Sequence, residues 1–238
     1  YNMIQLGKNK ITKKYVNKKI FRTKPKSNLT KNQFKKNVLI AKHHINKGDI
    51  FQVVLSQRFR IKISKSPLEI YKKLRVTNPS PFLYFFNFED FQIIGSSPEI
   101  LVRVRNNELI IRPIAGTRKR GKNKIEDKKL QNQLLSDKKE LSEHLMLLDL
   151  GRNDVSKASV GGSVKVNEEF KIEKYSHVMH IVSNVVGKFN RKLSLLEAMF
   201  AGFPAGTVSG APKIRAMEII DKLEKSKRKL YALSLIHI

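Results

Sequence analysis

An α+β fold of layered antiparallel sheets with flanking helices is predicted by three observations. Short runs rich in Val, Ile and Phe, joined by tight turns, fill residues 51–111; a helical repeat of leucines replaces them over 125–150; and no long strand-helix alternation of the Rossmann kind runs along the chain. Each element carries its own signal. Over residues 31–47, Phe34, Val38, Leu39, Ala41 and Ile45 recur at about 3.6 residues, and Gly48 ends the helix. Residues 51–63 read as a strand, followed by strands at 81–91, 92–94, 100–104 and 109–111, with Asn106 and Asn107 marking a turn. Across 125–150, Leu130, Leu134, Leu141, Leu145 and Leu148 form one apolar stripe. Residues 163–166 and 177–186 return to strand, 195–200 form a short helix with Ser194 as N-cap, and 212–225 form a last helix announced by glycine and proline. Residues 1–30 lack a sustained period and, with Pro25 and Asn28, read as a basic linker. That leaves 31–231 as the folded body and 232–238 as a tail.

Composition narrows the function classes. The chain has 238 residues, with 48 Lys+Arg against 20 Asp+Glu and a formal charge of +28. An apolar content of 40% supports a real core and excludes wholesale disorder. No stretch reaches the roughly 20 consecutive apolar residues of a membrane helix, so no membrane association is expected. The absence of cysteine excludes disulfides and Cys-based zinc or redox sites; it fits a reducing compartment, the cytoplasm or a plastid stroma. The positive charge invites a nucleic-acid partner. Only 13 of the 48 basic residues are Arg, however, the residue favoured for base readout and bidentate phosphate clamping. A lysine-coated enzyme without nucleic acid is therefore the reading, and a basic nucleic-acid-binding module the alternative. No acid precedes Asp49, yet the Arg and Ser richness of a transit peptide is also missing. Tyr1, in place of Met, marks the chain as a piece of something longer.

Four constellations can carry chemistry. Glu140 and Glu143 lie three apart, next to His144, so a helix puts both carboxylates on one side, where they can hold a hard divalent cation. A solvated acidic face is the plain alternative, but acids are scarce in this chain and most surface positions have become Lys. The second is the segment from Pro204 to Glu218. Gly206 and Gly210 permit tight turns, Pro212 suits a first helical turn, Thr207 and Ser209 offer hydroxyls, and Lys213 and Arg215 offer charge, which together describe an anion pocket. It is neither a Walker loop nor a Rossmann turn. Third, His177 and His180 are three apart on a strand, so at most one faces a given site, where a neutral imidazole can act as a base. Fourth, Glu99 stands alone at a strand-turn boundary, and it can serve as a proton donor if burial raises its pKa. A second glycine turn, Arg112-Pro-Ile-Ala-Gly-Thr117, follows.

These segments resemble the component I anthranilate synthases of the chorismate-utilising enzyme family. The resemblance rests on Gly48 to Arg58, Ser96-Ser-Pro-Glu99, Pro113-Ile-Ala-Gly-Thr117, Glu140-Leu-Ser-Glu143-His-Leu-Met, Arg152-Asn-Asp154, the His180 strand, and Pro204 through Ile220, in the family's order over roughly residues 30 to 231. It implies a layered α+β catalytic body and the conversion of chorismate and ammonia to anthranilate and pyruvate. Mg²⁺ would hold the ring carboxylate, and a glutamine amidotransferase partner would supply the ammonia. By the same resemblance Glu143 is a metal ligand with Glu140 supporting it through water, and Glu99 is the acid that assists departure of the C4 hydroxyl. His180 serves in the pyruvate elimination. Gly116, Thr117 and Thr207 contact chorismate, and Gly206, Gly210 and Lys213 complete the substrate-binding set.

Two positions separate close relatives. Isochorismate and salicylate synthases resemble this chain but carry a lysine base where Gln52 stands, and an amide has no such basicity. Aminodeoxychorismate synthases, the alternative within the family, carry a nucleophilic lysine where this chain has Ala115. The family pattern continues past the last helix into a Tyr- and Gly-rich segment, a carboxylate-binding arginine and further metal-binding glutamates. The residues after Tyr231 match none of it and read as foreign, so little or no activity is expected of this chain alone.

Overall fold

The computed structural model describes residues 24–97, 99–175, 177–229 and 231, and a short strand at 235–237. In chain order the elements are β1 (Lys26–Ser27), α1 (Lys31–Asn46), β2 (Gln52–Val53), β3 (Phe59–Arg60), α2 (Pro67–Thr77), β4 (Phe82–Asn87) and β5 (Gln92–Ser97). Next come β6 (Ile100–Arg105), β7 (Glu108–Ile111), β8 (Ile114–Lys119), α3 (Lys124–Ser136), α4 (Lys138–Lys157), β9 (Lys165–Lys174) and β10 (Val178–Lys188). The chain continues with α5 (Leu195–Gly202), a 3-10 turn at Gly206–Val208, β11 (Gly210–Ala211), α6 (Lys213–Leu223) and β12 (Leu235–His237).

The main sheet runs β12-β6-β7-β10-β8, with β9 on the other edge of β10. Its ladders are antiparallel except for β12, which lies parallel to β6. β10 is the axis of the body. Met179, Ile181, Val182, Val185 and Val186 are all buried, which explains why this strand reads as a nearly unbroken apolar run. Leu101, Leu109, Leu148, Val155 and Val185 form the main core where α4 and α5 cross the sheet. Leu134, Met179 and Ile181 form a second cluster under α3. Ile50, Ala216 and Ile219 fasten α6 to the segment before β2.

The α+β class and the layered antiparallel arrangement stand, while several boundaries move. The helical region 125–150 is two helices, because Asp137 ends α3 and caps α4; its Oδ1 accepts from the Lys139 and Glu140 backbone N–H groups. The leucine stripe is broken accordingly: Leu134 and Leu148 are buried, but Leu145 is 48% exposed. The strand at 51–63 shrinks to β2 and β3, since Phe59, Ile61 and Ile63 remain exposed with no broad sheet to join. The glycine turn at 112–117 is largely strand β8. α2 was unforeseen although its capping box is plain: Ser66 accepts from Glu69 N–H, the Glu69 carboxylate accepts from Ser66 N–H, and Pro67 opens the helix.

The predicted linker is also partly structural. β1 pairs with β3, Leu29 is buried, and Thr30 forms a capping box with Gln33 at the start of α1. Residues 1–23 of that linker lie outside the described residues. Of the predicted tail, 235–237 add an edge strand to the main sheet, and the remainder lies outside the described residues. Among the described residues no helix is long and apolar enough to cross a membrane.

Candidate active site

One face of α4 organises the site. Glu140, Glu143, Leu147, Leu150 and Asp154 follow one another at three- and four-residue steps, so they share a stripe about 21 Å long. At its N-terminal end Glu140 Oε1 accepts from Arg118 Nη1 at 3.1 Å, and Arg118 Nη2 reaches Asp137 Oδ2 at 2.7 Å. β8 lies against this carboxylate, for a Cβ added at Gly116 would come within 3.3 Å of Glu140 Oε2. One turn on, Glu143 Oε1 accepts from Gln52 Nε2 at 3.3 Å. Both acids are half-buried.

His180 approaches from β10, where it is in register with Thr117 on β8, just before a bulge. Its Nδ1 lies 2.9 Å from Thr117 Oγ1 and 3.3 Å from the Gly116 carbonyl oxygen. Donation to the carbonyl places the proton on Nδ1 and leaves Nε2 as the basic nitrogen. The Tyr175 ring stands edge-on at 5.6 Å. His177 is exposed and precedes the strand, which begins at Val178, so its place outside β10, and not the strand period, separates the two histidines. His144, by contrast, is fully buried; its Nε2 meets Ser183 Oγ at 2.7 Å, and burial pushes its pKa down to about 4. It packs against the Phe170 ring, 5.0 Å away, as a neutral imidazole.

Glu99 sits beyond the C-terminal end of β5, directly before β6, and its Oε2 accepts from Thr207 Oγ1 at 3.3 Å. Burial pushes this carboxyl up to about 7, against the opposing pull of the Thr207 hydrogen bond. It opens on a cavity of about 30 Å³ lined by Leu147, Leu150, Asp154, Gly206 and Thr207 among others. That is room for a water or two and too little for a ligand the size of a six-membered ring.

The segment from Pro204 to Glu218 is built differently from the predicted anion pocket. Ser209 Oγ donates to the Ala205 carbonyl at 2.8 Å, Lys213 Nζ is held 2.6 Å from Asp154 Oδ2, and Arg215 pairs with Glu218 and Asp49. Three of the four proposed donors are thus consumed inside the fold, and the fourth, Thr207, is turned onto Glu99. The glycines answer to packing. A Cβ on Gly206 would lie 2.0 Å from Leu150 Cδ2, while Gly210, at φ +140°, pairs with Val53, and a Cβ there would lie 2.2 Å from the Gln52 carbonyl oxygen. Arg228 closes the far side, donating to the Val208 and Val54 carbonyls at 2.5 and 2.6 Å and pairing with Glu224.

The structure therefore brings Glu140, Glu143, Gly116, Thr117 and His180 together around the start of α4. Glu99, Thr207 and Gly206 gather halfway along the helix, and Lys213 is set behind them. Arg118, Asp137 and Asp154 were not singled out as site residues. Asp154 carried the same signal as Glu140 and Glu143, an acid retained where lysine prevails, inside the quoted Arg152-Asn-Asp154 motif. Two carboxylates on one helical face match the hard-oxygen preference of Mg²⁺, which takes one or two of them and keeps its waters. Among the described residues no group of three or more His, Cys, Asp or Glu is placed to hold a metal.

Comparisons with known proteins identify relatives of the chain. A profile of the family described as chorismate binding enzyme matches residues 6–237. Anthranilate synthase component 1 of Cereibacter sphaeroides is 60% identical over 206 residues, covering 87% of this chain and 41% of that protein. Its counterpart from Aquifex aeolicus is 54% identical over 213 residues, covering 90% and 43%. The crystal structure of anthranilate synthase component I from Streptococcus pneumoniae superposes with a TM-score of 0.78 at 47% identity, over 86% of this chain and 45% of that one. The chain thus spans about two fifths of the length of the curated relatives it matches.

Proposed function

Because the chain belongs to the family of chorismate binding enzymes, we propose that the polypeptide it represents is the large subunit of anthranilate synthase. It converts chorismate and ammonia to anthranilate and pyruvate, the ammonia coming from a glutamine amidotransferase subunit. The observation that carries the reading is Glu99: a carboxyl buried beside Thr207, hydrogen-bonded by it and pushed up to about 7, is partly protonated near neutrality. It can deliver that proton to the departing C4 hydroxyl. Glu143, supported by Glu140, would hold a Mg²⁺ ion, which would supply stabilisation of negative charge developing on the ring carboxylate. His180, oriented by Gly116 and Thr117, leaves Nε2 ready to take up a proton in the elimination of pyruvate.

Two side chains favour ammonia as the nucleophile. Gln52 touches Glu143 and so stands at the site, yet an amide cannot deprotonate water. Ala115 offers a methyl group where a covalent route needs an amine. The cytoplasm, or a plastid stroma, is the setting that suits a chain without cysteine. With two acids as its contribution to the metal shell among the described residues, the chain by itself is expected to turn over little or no chorismate. The test is expression of the full-length protein followed by anthranilate fluorescence with chorismate, an ammonium salt and Mg²⁺. Release of isochorismate in place of anthranilate would reject the proposal, as would formation of 4-aminobenzoate once an aminodeoxychorismate lyase is added, or full turnover by a Glu99→Gln variant.

A further inference from the structure

Lys213 opens α6 with its side chain buried, 8% exposed. Its ammonium lies 2.6 Å from Asp154 Oδ2 and 3.1 Å from the Gly202 carbonyl oxygen. Gly202 is the last residue of α5 and Lys213 the first of α6, so a single nitrogen joins both ends of the 203–212 connection and ties them to α4. The charged groups facing it, Asp154 and Lys157, both come from α4, and Lys157 Nζ takes the other Asp154 oxygen at 3.0 Å. An apolar pair of equal volume commonly serves stability as well as a buried ion pair does. What an apolar pair cannot supply is direction, and direction is what this connection needs. It carries Thr207, whose 3.3 Å bond to Glu99 is at the long end of the hydrogen-bond range and is lost with a small displacement. Asp154, Gly202, Gly206, Thr207 and Glu99 all line the same cavity, and Asp154 is the charged side chain of α4 that shares it with Glu99.

We infer that Lys213 is a positioning residue: its ammonium clasps the two ends of the 203–212 connection onto α4 and thereby seats Thr207 against the Glu99 carboxyl. The inference rests on the reading of Glu99 as the acid, and it reassigns Lys213 from contacting substrate to holding the loop that serves the acid. The experiment compares full-length wild type, Lys213→Met, and the double variant Asp154→Leu/Lys213→Met. The double variant removes both charges and is expected to recover the wild-type melting temperature even if Lys213→Met alone unfolds.

The first readout is the titration of the Glu99 carboxyl, followed by isotope-edited infrared spectroscopy with Glu99→Gln as the assignment control. Both variants should titrate at least about one pH unit lower than wild type: losing the Thr207 bond by itself would raise the carboxyl, but regained hydration undoes burial, the larger of the two effects. In turnover, kcat should fall about tenfold with its alkaline limb moved the same way, while KM changes little. A folded double variant with the wild-type carboxyl titration overturns the clasp, and so does a loss confined to KM. Failure of the underlying reading shows up separately, as undiminished turnover by Glu99→Gln; the spectroscopic comparison still decides on Lys213 in that case.

Discussion

The two ends of α4 carry acids of opposite character. Asp154, near the C-terminal end, is 4% exposed and gripped by two ammonium groups at 2.6 and 3.0 Å. Glu140 and Glu143, near the N-terminal end, are half-buried and share one guanidinium and one amide between them, at 3.1 and 3.3 Å. An acid whose charge is cancelled from within acts as mortar. Glu143, whose hydrogen bond comes from a neutral amide at 3.3 Å, is left with more capacity for an external cation than Glu140, which already pairs with Arg118. Glu99 differs from both, since burial pushes its carboxyl up to about 7 against the pull of the Thr207 hydrogen bond.

Substitutions along this helix and beside it would break or sharpen the contrast. The largest effect on stability should come from Asp154→Leu with Lys213 in place, which strands a buried ammonium and should cost about 3–5 kcal/mol in urea unfolding. A loss under about 1 kcal/mol would erase the distinction between the two ends. Next comes Glu99→Gln, whose effect depends on pH. The folded-state pKa is raised from 4.5 to about 7, so the folded chain keeps a proton that the unfolded chain releases. Its contribution is fully present below the unfolded value, declines as pH rises through the window, and is gone above the folded value. At about 1.4 kcal/mol per unit, the glutamine variant should be more stable than the parent by something on the order of 3 kcal/mol at pH 8, and equal to it at pH 4. Parallel melting curves at both values check this.

Asp137→Ala removes the cap of α4 and one of Arg118's partners, and should cost about 1–2 kcal/mol by the same unfolding assay. The smallest stability change belongs to Glu143→Gln, within about 0.5 kcal/mol. Yet Mg²⁺-dependent turnover of the full-length enzyme should drop by about a hundredfold or more, with Mn²⁺ binding weakened in step. Were Glu143→Gln to destabilise the chain as much as Asp154→Leu, its role would be structural.

What could be read from residues alone followed the range of the interactions concerned. The helix start at Lys31, the Ser194 cap and the apolar run of β10 depend on neighbours a few positions away, and they were legible. The pairing of Glu140 with Glu143 was legible for the same reason, one helical turn. β8 was hidden because a glycine at φ +76° interrupts its pattern, and the division of α3 from α4 because the leucines keep their spacing across Asp137. The fate of Lys213 could not be read at all. Its partners lie 59 and 11 positions away, so a cation beside a glycine-rich turn reads as anion-binding until the fold brings Asp154 beneath it.

Arg228 has a practical consequence. Although it follows the last long helix, its guanidinium holds the carbonyls of Val208 and Val54, one residue from Thr207 and two from Gln52. Anyone trimming this polypeptide for crystallisation or for fragment complementation should therefore keep residue 228. A cut at the end of the visible helix would look tidy on paper and would let go of the acid's neighbour and the amide's strand in a single stroke.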